Sequence, residues 1–130
     1  MNNVKLIRVR NVTPVTQLSS SMWAMYRPAN YAHWIGSHAH LSVAMGYKLL
    51  LPDNLSAHIS LSREMVARGF MLGGNRITIL PQPEPIKEIV LPVSNTKGGV
   101  QFFDDIDPIA YLWFEPISDN VSIEIEEDEE

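Results

Sequence analysis

Proline and glycine punctuate this chain too often for long helices: nine prolines and seven glycines are scattered through 130 residues. Proline removes a backbone donor and clashes with the preceding helical turn, and glycine makes helical order entropically costly, so few uninterrupted stretches can hold a helix. What remains are short apolar or alternating runs that suit strands, over residues 4–9, 42–51, 57–61, 76–80, 86–93 and 109–114. Turn-forming clusters separate them at Pro52-Asp53-Asn54, Gly73-Gly74-Asn75, residues 81–85 and residues 94–99. The pattern predicts an all-β sandwich or jelly roll. One helical turn fits over 62–68, where Ser62 can cap and Met65 can pack inward, although Val66 and Gly69 also suit an irregular loop.

The chain is long enough for one core and too short for two ordinary ones. With 45% hydrophobic and 19% charged residues it falls in the globular range. No cysteine is present, so no disulfide or thiolate metal site can form. Neither a signal core nor a bilayer-length apolar run is found, and the expectation is a cytoplasmic protein, in a host cytoplasm or virion if its source is viral. The net charge of -5 is uneven, since 7 of the 15 acidic residues fall in the last 12 positions. Residues 1–118 therefore carry 10 basic against 8 acidic residues and form the expected β domain, followed by an acidic, disordered tail over 119–130. No clustered basic face is evident, which argues against nucleic acid as a partner.

Two side-chain groups invite a functional reading. Three histidines lie within eight residues, His33, His38 and His40. On a strand His38 and His40 share a face, a ligand spacing for zinc or iron, with His58 the only distant candidate. No carboxylate or third histidine follows at a cupin-like spacing, so a polar turn leading into a strand is the simpler account, and no metal site is assigned. Trp23, Tyr26, Tyr31 and Trp34 could stack a base or sugar, but such clusters more often serve a core or a subunit interface. Met22, Met25, Met65 and Met71 fit gap-filling in the core better than a contact surface.

The segment GYKLLLPDNLSAHISLSREMVARGFMLGGN, residues 46–75, together with Val4-Lys5-Leu6, Leu51-Pro52-Asp53, residues 88–95 and Asp107-Pro108-Ile109-Ala110-Tyr111-Leu112, resembles in order and spacing the motif blocks of the trimeric dUTPase and dCTP deaminase-like family. The likeness runs to about Ile117, roughly nine-tenths of the chain. It implies a dUTPase-like jelly roll or β-sandwich assembling as a homotrimer.

Departures fall where the family carries out its chemistry. The Asp that orients the metal corresponds to Ala24, which offers no oxygen to a hard cation. The phosphate-binding Arg-Ser-Gly becomes Ser62-Arg63-Glu64, and a carboxylate there repels phosphate. The hairpin that reads uracil becomes Leu80-Pro81-Gln82-Pro83-Glu84-Pro85, whose three prolines remove three backbone donors. Pro92 occupies the place of the deaminases' glutamate, and the acidic tail replaces their relatives' glycine-rich arm. If a nucleotide pocket survives, Ser62, Arg63, Glu84 and Tyr111 are its candidates. No catalytic residue is assigned. The expected function is that of a catalytically degenerate, non-catalytic member, with a viral or phage source among the options, that acts on an unidentified protein partner as regulator, inhibitor or structural component. The alternative is a dUTP diphosphatase-like nucleotide hydrolase with a rewired site, using Glu84 or Glu64 with Arg63. No cofactor is expected unless that alternative holds, when Mg²⁺ would be required.

Overall fold

Alternation of inward and outward side chains sets the architecture, and β9 shows it most plainly: Ile89, Leu91, Val93 and Asn95 are buried while Val90 and Pro92 between them are exposed. The protein is described here by a computed structural model covering residues 3–28, 34–82, 87–102, 107–117 and 122–128. In chain order its elements are β1 (Lys5–Arg8), β2 (Thr16–Ser19), β3 (Met22–Met25), β4 (Trp34–Ile35), β5 (His40–Leu50), β6 (Leu55–Leu61), α1 (Arg63–Ala67), β7 (Phe70–Leu72), β8 (Ile77–Ile79), β9 (Glu88–Asn95), β10 (Gln101–Phe102) and β11 (Ala110–Pro116).

The paired strands are antiparallel throughout and form a four-stranded sheet, β1-β5-β9-β7, and a five-stranded sheet, β2-β3-β11-β6-β8. The core between them takes Val43, Met45, Leu91, Val93 and Phe70 from the first and Met25, Ala57, Ile59 and Leu112 from the second. A ribbon of β4 and β10 stands apart, with Trp34 opposite Phe102 and both rings more than half exposed.

The expected all-β class holds, and the helical turn over 62–68 is present as α1. Ser62 caps it by accepting the Met65 N–H at 3.2 Å, and Met65 is buried. Other boundaries shift for physical reasons. The expected 86–93 run extends to Asn95, because that polar residue points inward by parity and is fully paired there. β5 shifts register between Ala44 and Lys48 around Gly46, whose φ of 87° breaks the alternation and leaves Val43–Tyr47 buried without a period. β2 escaped the apolar pattern because all four of its residues are exposed, and β3 because Met22-Trp23-Ala24-Met25 has no polar partner to alternate with. Of the four aromatics grouped in sequence, Trp23 packs edge-on against Phe114 at 5.6 Å, Tyr26 bonds Thr16, and Trp34 lies exposed on β4; Tyr31 falls outside the described residues. Met25 and Met65 fill the core as expected, whereas Met71 is half exposed.

Candidate functional site

β6 delivers Ser62, and β11 delivers Tyr111, to one corner of the five-stranded sheet. The Ser62 N–H donates to the Ile109 carbonyl at 2.9 Å, its hydroxyl oxygen accepts the cap bond, and the residue is fully buried. Arg63 opens α1 at the surface. Its backbone N–H donates to the Tyr111 hydroxyl at 3.3 Å, which ties the strand to the start of the helix. Three of the four candidate residues are therefore gathered. Glu84 lies outside the described residues.

Across the sheet Tyr111 sits between Ala24 on β3 and Ser60 on β6, its direct partners in register. Ala24 is fully buried, and the place matched to a metal-orienting carboxylate is a methyl group sealed from solvent. Glu64, in the first turn of α1, has one carboxylate oxygen buried without a hydrogen-bond partner among the described residues. Beside the helix a groove of about 310 Å³ is walled by Leu61, Val66, Phe70 and Leu72, with Ser60 and Asn75 as its polar groups.

Between β8 of the five-stranded sheet and the start of β9 in the four-stranded sheet a second cleft of about 320 Å³ opens, lined by Ile77, Ile79, Lys87 and Val90. Glu88 is the carboxylate of that cleft. Arg10 Nε donates to it at 2.7 Å and the Gly46 N–H at 2.9 Å. The Arg10 side-chain hydrogen bond, with help from the Gly46 bond and the charges of Arg10 and Lys48, outweighs burial and holds the Glu88 carboxyl below its ordinary value. Glu88 is thus a staple between β9, the β5 bulge and the segment after β1, not a base poised to take a proton.

The described histidines do not form one group of metal ligands. His38 occupies a turn with φ of 55°, His40 starts β5 with Nδ1 2.6 Å from the Ser94 hydroxyl, and His58 belongs to the other sheet; His33 lies outside the described residues. Among the described residues no three His, Asp or Glu side chains form a group that could hold a metal.

His58 does organise a network that sequence reasoning missed. Its Nε2 lies 2.9 Å from Ser56 Oγ and 3.2 Å from Glu115 Oε2, its Nδ1 lies 3.2 Å from Thr78 Oγ1, and the ring stacks on Trp113. Serine, histidine and carboxylate meet, but both oxygens address the same nitrogen. A nucleophile relay needs the acid on the nitrogen opposite the serine, so this cluster, with Ser56 and His58 buried and Glu115 half exposed, is a polar tie and not a triad. The alternation Ser56-Ala57-His58-Ile59-Ser60 was the available signal, since it places Ser56 and His58 on one face.

No protein-family model and no curated protein matches the chain. Solved structures do. A mutant dUTPase of Staphylococcus bacteriophage 80alpha with dUpNHpp superposes with a TM-score of 0.79 at 9% identity, covering 100% of both chains. A mutant dUTPase from phage phi11 of S. aureus gives 0.74 at 10% identity over 99% of this chain and 100% of the other, and native EIAV dUTPase gives 0.70 at 13% over 98% and 99%. The chain has a dUTPase-like fold.

Proposed function

We propose that this protein is a non-catalytic bearer of the dUTPase-like fold that works as a homotrimer by binding another protein. The observation that carries the reading is Ala24: buried, apolar and held against Tyr111, it occupies the position that the family resemblance matches to the metal-orienting aspartate. Without an oxygen there a hard divalent ion loses an anchor for a triphosphate. The commitments around it agree, since Ser62 caps α1 and the Arg63 amide serves Tyr111. The 80alpha phage dUTPases are described as controlling transfer of virulence genes by a G protein-like mechanism, so a regulatory role has precedent among proteins of this fold.

One observation favours a second reading. The Glu64 oxygen that is buried without a partner among the described residues belongs to the neighbour of Arg63 in sequence, and a rewired nucleotide hydrolase would use such a carboxylate with that arginine.

Thermal unfolding and calorimetry with dUTP, dUMP, dCTP and Mg²⁺, alongside the solution mass, separate the two. A nucleotide at about 100 times its Kd adds about 2.7 kcal/mol to a protein that binds it only when folded, a shift of several degrees. A trimer with no shift is the expected result. A clear shift with one nucleotide sinks the first reading and makes its hydrolysis the next assay.

A further inference from the structure

Val90 and Pro92 alternate with the inward residues of β9 and turn to the outer face of the four-stranded sheet, where Ile7 of β1, Leu50 of β5 and Met71 of β7 also lie. Ile7 is 40% exposed, Leu50 37%, Val90 48% and Met71 52%. An antiparallel sheet with one side on the core ordinarily turns polar side chains to water on the other. Here the register gathers apolar ones, with Ala44 opposite Val90 and Ser42 opposite Pro92. On β1 and β5, Lys5 stands opposite Leu50 and Ile7 opposite Lys48. The two lysines are therefore diagonal neighbours on that face, about 7–8 Å apart.

The charge of this face is one-sided. Glu88, opposite Lys48, is already held by Arg10 Nε and the Gly46 N–H, whereas Lys5 and Lys48 form no salt bridge among the described residues. A twofold pairing of two copies through the face sets like charges together, so the charge favours an acidic occupant. Its shape follows from the sheet. Added strands join edges, but a face is covered by a helix laid across it. β1 and β9 are two strand spacings apart, about 10 Å, and an α-helix with its side chains is about 10–12 Å wide. Carboxylates one helical turn apart, about 5–6 Å, can address both lysines.

We propose that the outer face of the four-stranded sheet docks an amphipathic helix of another protein, with its apolar stripe on Ile7, Leu50 and Val90 and flanking carboxylates on Lys5 and Lys48. This rests on the reading of the protein as one that works by binding another protein, and it names the surface and the chemistry of the partner. The apolar contacts supply the burial, and the two lysines fix the direction in which the helix lies and make docking sensitive to salt.

The probe is a labelled synthetic helix of about five turns, leucine along one stripe and glutamate beside it, with a twin that carries lysine for glutamate. By fluorescence anisotropy the full-length protein is expected to bind the glutamate helix at least about tenfold more tightly than its twin. Lys5→Glu/Lys48→Gln should weaken that binding about fivefold or more, glutamine at 48 sparing Glu88 a second carboxylate beside it. Ile7→Ser/Val90→Ser, at exposed positions, should weaken it comparably, and thermal unfolding of both variants confirms that they are folded. No binding of the glutamate helix, equal binding of the twins, or binding untouched by either variant would overturn the proposal. So would a changed solution mass in the lysine variant, which makes the occupant a second copy, or adsorption to phosphatidylglycerol vesicles without peptide binding, which makes it a membrane. Failure with nucleotides inert removes this surface alone, whereas a nucleotide-induced thermal shift removes the non-catalytic reading.

Discussion

The hydroxyl of Tyr111 holds the backbone N–H of Arg63, so β11 and the first residue of α1 are joined without use of the guanidinium. The contact predicts a split between two substitutions. Arg63→Ala keeps the amide and should leave stability within about 0.5 kcal/mol, with no change toward any nucleotide. Tyr111→Phe removes the acceptor and should cost about 1 kcal/mol. Urea unfolding of both variants checks the order, and nucleotide affinity lost with Arg63→Ala in a folded protein would point to a working pocket instead.

Glu88 predicts a pH dependence with a definite sign. Arg10, first through its hydrogen bond to the carboxylate, keeps the folded-state pKa below the ordinary 4.5. A depressed pKa contributes stability that is present above the unfolded value and is lost as pH falls through the folded one. Glu88→Gln should therefore cost about 1–2 kcal/mol near neutral pH, discounted for a half-exposed Arg10, and the gap from the parent should close below pH 4.5. Denaturant midpoints at pH about 7 and about 3 measure it.

Much of the fold was legible because parity is written into residues 55–61 and 88–95, and punctuation by proline and glycine ruled out long helices. The cap at Ser62 was legible for the same local reason. The short β4–β10 ribbon was not, because two-residue strands carry no period and Trp34 meets Phe102 only through the fold. The candidate site divides the same way: Ser62 and Arg63 are sequence neighbours, but their junction with Tyr111 is a long-range contact. The staple formed by Glu88 and the His58 tie depend on register across strands far apart in the chain, which no local pattern encodes.

Two glycines with positive φ should respond differently to alanine. Gly46 has φ of 87°, and a Cβ there would meet Val12 Cγ1 at 2.9 Å, a buried branched side chain with little room to give. Gly69 has φ of 90°, but the atoms its Cβ would meet first belong to the flexible Lys97 chain, at 2.6–2.8 Å. Both substitutions incur roughly 1 kcal/mol for a left-handed backbone, and Gly46→Ala should add about 1–2 kcal/mol of overpacking. Thermal midpoints of the two variants test the ranking, and equal losses would contradict it.

Asn95 sets the last expectation, because it is a polar side chain at the buried end of β9 with every group engaged. Its amide nitrogen donates toward the carbonyls of Ile35, Gly36 and Gly99 at 3.1, 3.0 and 2.9 Å, and its oxygen accepts the Lys97 N–H at 3.0 Å. One side chain thus fixes the exit of β4 and both ends of the loop that leads to β10. Asn95→Ala removes all four of these bonds at a buried site and should cost about 2–3 kcal/mol. Asn95→Asp is nearly isosteric yet turns an acceptor toward three carbonyls, so near neutral pH it should be the more harmful of the two despite filling the space. Chemical unfolding ranks the pair, and an aspartate variant as stable as the parent would show that the carbonyls find other donors.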